Sequence, residues 1–106
     1  MVEDRLAVLQ DLVRRNPKDA RTRYMLAMEL VCREQLEDAV EQFRQIASLD
    51  PGYVPAYFQC GQALAAAGRI EEAKDWYRRG IVAAERAGDP HARSEIEEAL
   101  RSLQTD

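Results

Sequence analysis

Apolar residues recur along the chain at intervals of three and four positions, with polar residues between them. This spacing is typical of α-helices that bury one face, and the strict alternation of a half-buried strand is absent. The clearest sets are Leu6, Leu9, Leu12 and Val13 near the start, and Leu36, Ala39, Val40, Phe43 and Ile46 further on. The pattern therefore predicts an all-α chain whose helices are joined by short turns.

The same pattern occurs twice. Asn16-Pro17 is followed by a matching Asp50-Pro51 after 34 positions, and the segments that come after these two pairs align without a gap. An interval of this length indicates a repeated helical hairpin, in which small residues let two helices approach and large residues fill the space around them. The aligned positions are Arg23, Leu26, Ala27, Leu30, Ala39 and Phe43 in the first copy, and Tyr57, Cys60, Gly61, Leu64, Ala73 and Tyr77 in the second.

These positions resemble the tetratricopeptide repeat (TPR), a 34-residue helix-turn-helix with the pattern W-x2-L-G-x2-Y, A-x3-F and P. The resemblance is to small, standalone TPR proteins of the bacterial type. It implies a right-handed α-α superhelix, or TPR solenoid, of six antiparallel helices, with two full repeats flanked by half-repeat capping helices. Arg23 in place of the first aromatic residue and Cys60 in place of leucine depart from the pattern without changing its packing logic.

We expect one TPR-like domain over residues 1–106, with half-repeats at both ends to cover the apolar faces that a stacked array exposes. Asp19 is expected to cap the helix that begins at Ala20, and Gly68 to form the turn inside repeat 2. The equivalent turn of repeat 1, at 33–35, contains no glycine. The expected segments are an N-terminal half-repeat helix at 2–16, repeat 1 at 20–53, repeat 2 at 54–88 and a C-terminal capping helix at 89–104.

Composition narrows the class of protein. A hydrophobic fraction of 46% is too high for a disordered chain, and the apolar runs are far shorter than the roughly 20 residues that span a bilayer. The formal net charge of −4 argues against a basic surface for nucleic acid or anionic lipid. The charged start has no apolar signal core. We therefore expect a cytoplasmic protein that binds neither nucleic acid nor membrane.

Residues that could carry chemistry are few. His91 is the only histidine, and no cysteine or second histidine is spaced to share a metal with it, so an exposed bystander is expected. Neither Cys32 nor Cys60 belongs to a Cys-x-x-Cys motif, and Cys60 takes a core position where a buried, inert thiol is expected. Phosphate-loop and nucleophile motifs are lacking. We therefore expect no enzymatic activity, no metal and no cofactor.

In proteins of the resembled family, the first helix of each repeat lines the inner wall of the superhelix, which holds extended or helical peptides. The resemblance thus implies a scaffold or adaptor that binds a peptide or helix of another protein. Large apolar groups outside the core often mark such a surface. The residues expected to line this groove are Arg21, Tyr24, Met28, Phe58, Gln59, Gln62 and Arg101.

Two other interpretations stay open. Tyr24, Met28 and Phe58 could pack only within the chain, because two repeats make a shallow superhelix. The same residues, or an incompletely covered end, could instead pack against an identical chain and form a homodimer. Capture of a terminal carboxylate is disfavoured, since Tyr24, Met28 and Gln59, together with Pro55, stand where related proteins carry lysine and asparagine.

Overall fold

The computed structural model describes residues 4–104, and this part of the chain consists of helices and turns without a strand. The all-α prediction is therefore confirmed. Residues 2 and 3, the start of the expected helix at 2–16, lie outside the described range, as do residue 1 and residues 105 and 106. The helices of residues 4–104 are α1 (Arg5–Arg15), α2 (Ala20–Cys32), α3 (Leu36–Leu49), α4 (Val54–Ala66), α5 (Ile70–Ala87) and α6 (Pro90–Gln104).

Aspartate side chains cap three of these helices. Asp19 caps α2 as expected, because its Oδ1 accepts a hydrogen bond of 3.2 Å from the backbone N–H of Arg21. Asp4 accepts from the N–H of Leu6 at the start of α1, and Asp89 accepts from Ala92 at the start of α6. Each carboxylate satisfies a backbone donor that the first helical turn leaves without an intrahelical partner.

The turns inside the two hairpins have the same form. Gly68 has a φ of 81°, as its expected turn role requires, and Glu34, at the equivalent position of the first copy, has a φ of 60°. Both are in the left-handed region, which favours glycine. The N–H of the residue after each one donates to a leucine carbonyl five positions back, at Leu30 in the first copy and Leu64 in the second, with 2.9 Å in both cases. The first copy thus makes a glycine-type turn with a glutamate.

The chain divides into two compact units, one ending at Asp50 and the other beginning at Pro51. In the first unit α2 packs against both α1 and α3. Ala27 and Ala39 are fully buried, and the side chain of Phe43 is equally enclosed. The small residues therefore occupy the helix contact, as their place in the repeat predicts. Leu12 departs from its expected apolar stripe, because it is 36% exposed whereas Leu9 is buried.

In the second unit α5 packs against both α4 and α6. Gly80 of α5 makes both contacts possible: a Cβ at this position would lie 2.8 Å from Cβ of Tyr57 and 3.2 Å from Cδ1 of Ile96. Ile96, the one buried residue of α6, fills the space that this glycine leaves. The absence of a side chain at Gly80 therefore lets α6 pack closely on α5.

Candidate partner-binding surface

In the first unit the expected contact residues lie on one face of α2. Arg21, Tyr24 and Met28 are separated by three and four positions, the spacing that brings residues to the same side of a helix. Arg21 is exposed, whereas Tyr24 and Met28 are half-buried. The Tyr24 ring meets Phe43 of α3 edge to face, with 6.4 Å between the ring centroids and 66° between the planes.

In the second unit Phe58 and Gln62, four positions apart, share one face of α4. Phe58 and Gln59 are half-buried and Gln62 is exposed. The Phe58 ring packs on Tyr77 of α5, with the centroids 6.2 Å apart and the planes tilted by 38°. Arg101, the contact residue expected on α6 in the same unit, is exposed.

The two aromatic pairs occupy equivalent repeat positions. Phe58 aligns with Tyr24, and Tyr77 aligns with Phe43, when the second copy is placed on the first. In each unit a half-buried ring of the first helix thus packs on a buried ring of the second helix of the same hairpin. Tyr24 and Phe58 already have neighbours within the chain, so a partner would contact the part of each ring that remains exposed. The joint surface expected from all seven residues stays a prediction.

Trp76 stands at the centre of a cluster that sequence reasoning missed. Its ring is 5.9 Å from that of Tyr57, and the Arg79 guanidinium lies over both rings, 4.4 Å from the Trp76 centroid and 5.5 Å from that of Tyr57. Distances of this size are those of cation-π contacts. The available signal was an arginine three positions after the chain's one tryptophan, because that spacing brings the two side chains to one side of a helix.

Local contacts shift the pKa values of ionisable groups in both units. Hydrogen bonds to Glu29 and then Asp4 raise the pKa of Arg33. The Glu29 contact, at 2.9 Å, lies within the end of α2, whereas the Asp4 contact, at 2.7 Å, links this end to the start of α1. The hydrogen bond from the Thr22 hydroxyl lowers the pKa of Asp19, and burial raises the pKa of Tyr77. These groups belong to helix caps and hairpin packing.

The remaining candidates for chemistry are dispersed. The His91 side chain is 88% exposed, as expected for a bystander, and its Nε2 is 3.9 Å from a carboxylate oxygen of Glu95. Cys60 is buried as expected, and Cys32 is exposed. Over residues 4–104, no three His, Cys, Asp or Glu side chains come together in a way that could hold a metal ion. Within the same residues, no helix combines the length and apolar character needed to cross a membrane.

The family model of the tetratricopeptide repeat matches residues 33–94, which is more than half of the chain. The chain belongs to the tetratricopeptide repeat family. The match confirms the family predicted from the repeat interval and the aligned positions. TPR proteins are generally non-catalytic modules that bind other proteins, and the chain is accordingly a protein-protein interaction module.

Several proteins of known sequence or structure are similar to this chain. An uncharacterized protein of Methanocaldococcus jannaschii is 34% identical over 67 residues, 63% of this chain and 78% of that protein. A TPR domain protein from Salinibacter ruber, solved by NMR, is 31% identical with a TM-score of 0.76, over 82% of this chain and 88% of that one. The TPR2B domain of yeast Sti1, solved in complex with pHsp70, has a TM-score of 0.85 at 18% identity, over 93% of this chain and 79% of that one. This last likeness shows the fold alone.

Proposed function

We propose that this TPR chain is a non-catalytic cytoplasmic adaptor that holds a peptide segment or a helix of another protein against the first helices of its repeats. The observation that carries the proposal is the repeated ring pair: Tyr24 and Phe58 each remain partly exposed while resting on a buried ring. The contact residues of the proposal are Arg21, Tyr24, Met28, Phe58, Gln59, Gln62 and Arg101.

The chemistry of these side chains suits a largely apolar segment. Aromatic rings such as Tyr24 supply contact area at low entropic cost, and the thioether of Met28 adapts to different ligand shapes. Gln62 offers an amide donor and acceptor to a peptide backbone. The solved complex of the Sti1 TPR2B domain with pHsp70 supports partner binding as a use of this fold. The lack of lysine and asparagine at Tyr24, Met28 and Gln59 favours recognition of internal segments over a terminal carboxylate.

Partner capture followed by measured binding tests this proposal. Affinity purification from the native cells, read by mass spectrometry, supplies a candidate segment, whose affinity for the purified chain is then measured by calorimetry. We expect the Y24A and F58A variants to bind about tenfold more weakly, because each loses a ring that a partner would contact. Leu49→Ala is the matched control, since Leu49 is 39% exposed on α3 outside the proposed surface.

Folding must be checked in parallel, because Tyr24 and Phe58 also pack on Phe43 and Tyr77. Far-UV circular dichroism should show unchanged helicity for every variant used. Gln62→Glu supplies a second test, since Gln62 is exposed and its substitution disturbs no core contact. Binding that survives in all three surface variants would show that the contact residues are wrongly assigned.

Self-association is the second candidate, and exposed apolar residues of α1 favour it. Val8 is 39% exposed and Leu12 is 36% exposed, and their spacing of four positions brings them to one side of the helix. A second copy of the chain could cover them. Light scattering at two concentrations should then show a dimer that Leu12→Ser shifts to monomer. A monomer at both concentrations would contradict this alternative.

A further inference from the structure

The second unit carries a groove that the proposed adaptor surface does not use. It has a volume of about 430 Å³ and lies between the turn at Pro51 and one face of α5. Arg79, Val82, Ala83 and Arg86 contribute to it from α5, at the spacing of three, four and seven positions that defines one side of a helix. None of the seven proposed contact residues lines this groove.

The floor of the groove is apolar and its edge is partly open. Tyr57 and Ala83 are buried beneath it, whereas Val82 is 45% exposed, the largest exposed fraction among the big apolar side chains of residues 4–104. Water in contact with Val82 would be released by an apolar ligand group, which is a favourable change. The groove therefore suits a ligand that brings a side chain such as leucine.

Positive charge flanks this apolar floor. Within residues 4–104, neither the Arg79 nor the Arg86 guanidinium forms an ion pair with a carboxylate, although the neighbouring Arg78 lies 3.2 Å from Asp75. Arg79 and Arg86 are two helical turns apart, roughly 10 Å along α5 at about 1.5 Å per residue. Glu72 and Asp75 line a neighbouring pocket together with Arg79, but no acidic residue lines the groove itself.

One of these cations is held in place. Arg79 lies 4.4 Å from the Trp76 ring centroid and 5.5 Å from that of Tyr57, and these cation-π contacts restrict its side chain before any ligand arrives. A positioned guanidinium loses less conformational freedom when it pairs with a carboxylate. Arg86 makes no such cation-π contact and lies in the last turn of α5.

We propose that this groove is a second protein-binding site, which takes an acidic segment of another protein that also carries an apolar side chain. Carboxylates of the segment pair with Arg79 and Arg86, and the apolar group lies against Val82. Charge complementarity selects this occupant, because the two arginines have no acidic neighbour in the groove. Two cations in an acidic chain are too few for the multiple phosphate contacts on which nucleic-acid binding depends.

Synthetic peptides test the chemistry of the occupant. The probe is a fluorescein-labelled decapeptide in which two central leucines are flanked on each side by two glutamates. One control peptide has glutamine at every glutamate position, and another has serine in place of both leucines. Fluorescence anisotropy in low-salt buffer should show that the full probe binds. Each control peptide should bind at least about tenfold more weakly, because one lacks the charge contact and the other lacks the apolar contact. Equal binding of either control peptide would overturn the proposal.

Substitutions test whether the probe binds in this groove. Arg86→Glu should weaken probe binding about tenfold, and Val82→Ser should weaken it as well, whereas Arg78→Glu, the same charge change outside the groove, should stay within about twofold. Y24A should leave probe binding unchanged, which separates this site from the adaptor surface. Unchanged binding to Arg86→Glu, or binding of a ten-nucleotide thymidine oligomer as tight as that of the probe, would overturn the proposal. Circular dichroism confirms that each variant is folded.

Discussion

Gly61 of α4 lies beneath the ring of Tyr77 of α5, so closely that a Cβ built on the glycine would be 2.6 Å from Cδ1 and 2.9 Å from Cζ of that ring. The ring occupies the space that a methyl group would need. At the equivalent position of the first copy stands Ala27, which is fully buried. The two hairpins therefore close their helix contacts with different residues at the same repeat position.

Gly61→Ala should destabilise the protein by about 1–3 kcal/mol, the usual cost of forcing an extra carbon into a packed core. Alanine is the better helix former by about 1 kcal/mol, so a net loss would show that the collision with Tyr77 outweighs the gain. Urea unfolding followed by circular dichroism measures the difference in free energy.

Removing the ring supplies the control for this prediction. In a Tyr77→Leu background Gly61→Ala should cost clearly less, because the atoms that the new Cβ would meet are gone. The double-mutant cycle isolates that coupling between the two positions. A cost that is the same in both backgrounds would refute the steric explanation.

Glu34→Gly should stabilise the protein by about 0.5–1 kcal/mol. Glu34 has a φ of 60°, where a side chain costs about 1–2 kcal/mol, and glycine's greater freedom in the unfolded chain offsets part of the gain. Gly68→Ala is the reverse experiment. Nothing lies within 4 Å of the added Cβ, so any loss of stability comes from the strain of a side chain at φ 81°. Stabilisation by Gly68→Ala, or destabilisation by Glu34→Gly, would contradict this account of the turns.

Tyr57→Phe should cost about 1 kcal/mol, because the buried hydroxyl donates a 2.8 Å hydrogen bond to the Pro51 carbonyl. Arg23 fills the same repeat position in the first unit, and its Nε donates over 2.8 Å to the carbonyl of Pro17. Arg23→Met keeps the aliphatic packing but removes this exposed bond together with the 2.9 Å hydrogen bond from Nη1 to Oε1 of Gln42. We expect the two losses together to cost about 1 kcal/mol. Thermal unfolding of both variants checks this, and a neutral result for both would mean that the carbonyl is equally well satisfied by water.

The repeat interval was enough to predict the helices because the packing that it reflects is local. Asp19 and Gly68 have the cap and turn roles that their types and spacing indicate, since a cap depends on a few neighbouring backbone groups. Glu34 could not be recognised in the same way. A glutamate carries no preference for positive φ, and only the equivalence to Gly68 reveals the turn that it makes.

The candidate surface was less accessible to sequence reasoning than the fold. Helical spacing could place Tyr24 and Phe58 outside the main core stripe, but the rings on which they rest depend on how two helices pack. From the sequence alone the spacing of three positions can place Arg79 and Trp76 on one side of a helix, but the contact between them depends on the orientation of the ring. Arg23 shows the same limit, since a charged residue takes over the hydrogen bond of an aromatic one.

Asp19→Ala should lower the melting temperature at pH 7 and have little effect near pH 2. The hydrogen bond from Thr22, 2.6 Å long, lowers the pKa of Asp19. A carboxylate whose pKa is lower in the folded state stabilises the protein above its ordinary value of about 3.9, and this contribution is lost as the pH falls through the folded value. Melting temperatures of the wild type and the variant, measured from pH 7 to pH 2, should therefore converge on the acid side.

Thr22→Ala, which keeps the carboxylate, should raise the Asp19 pKa in a carboxyl NMR titration and move the convergence to higher pH. A difference in melting temperature that stays constant from pH 7 to pH 2 would show that the ionised carboxylate is not what stabilises the start of α2.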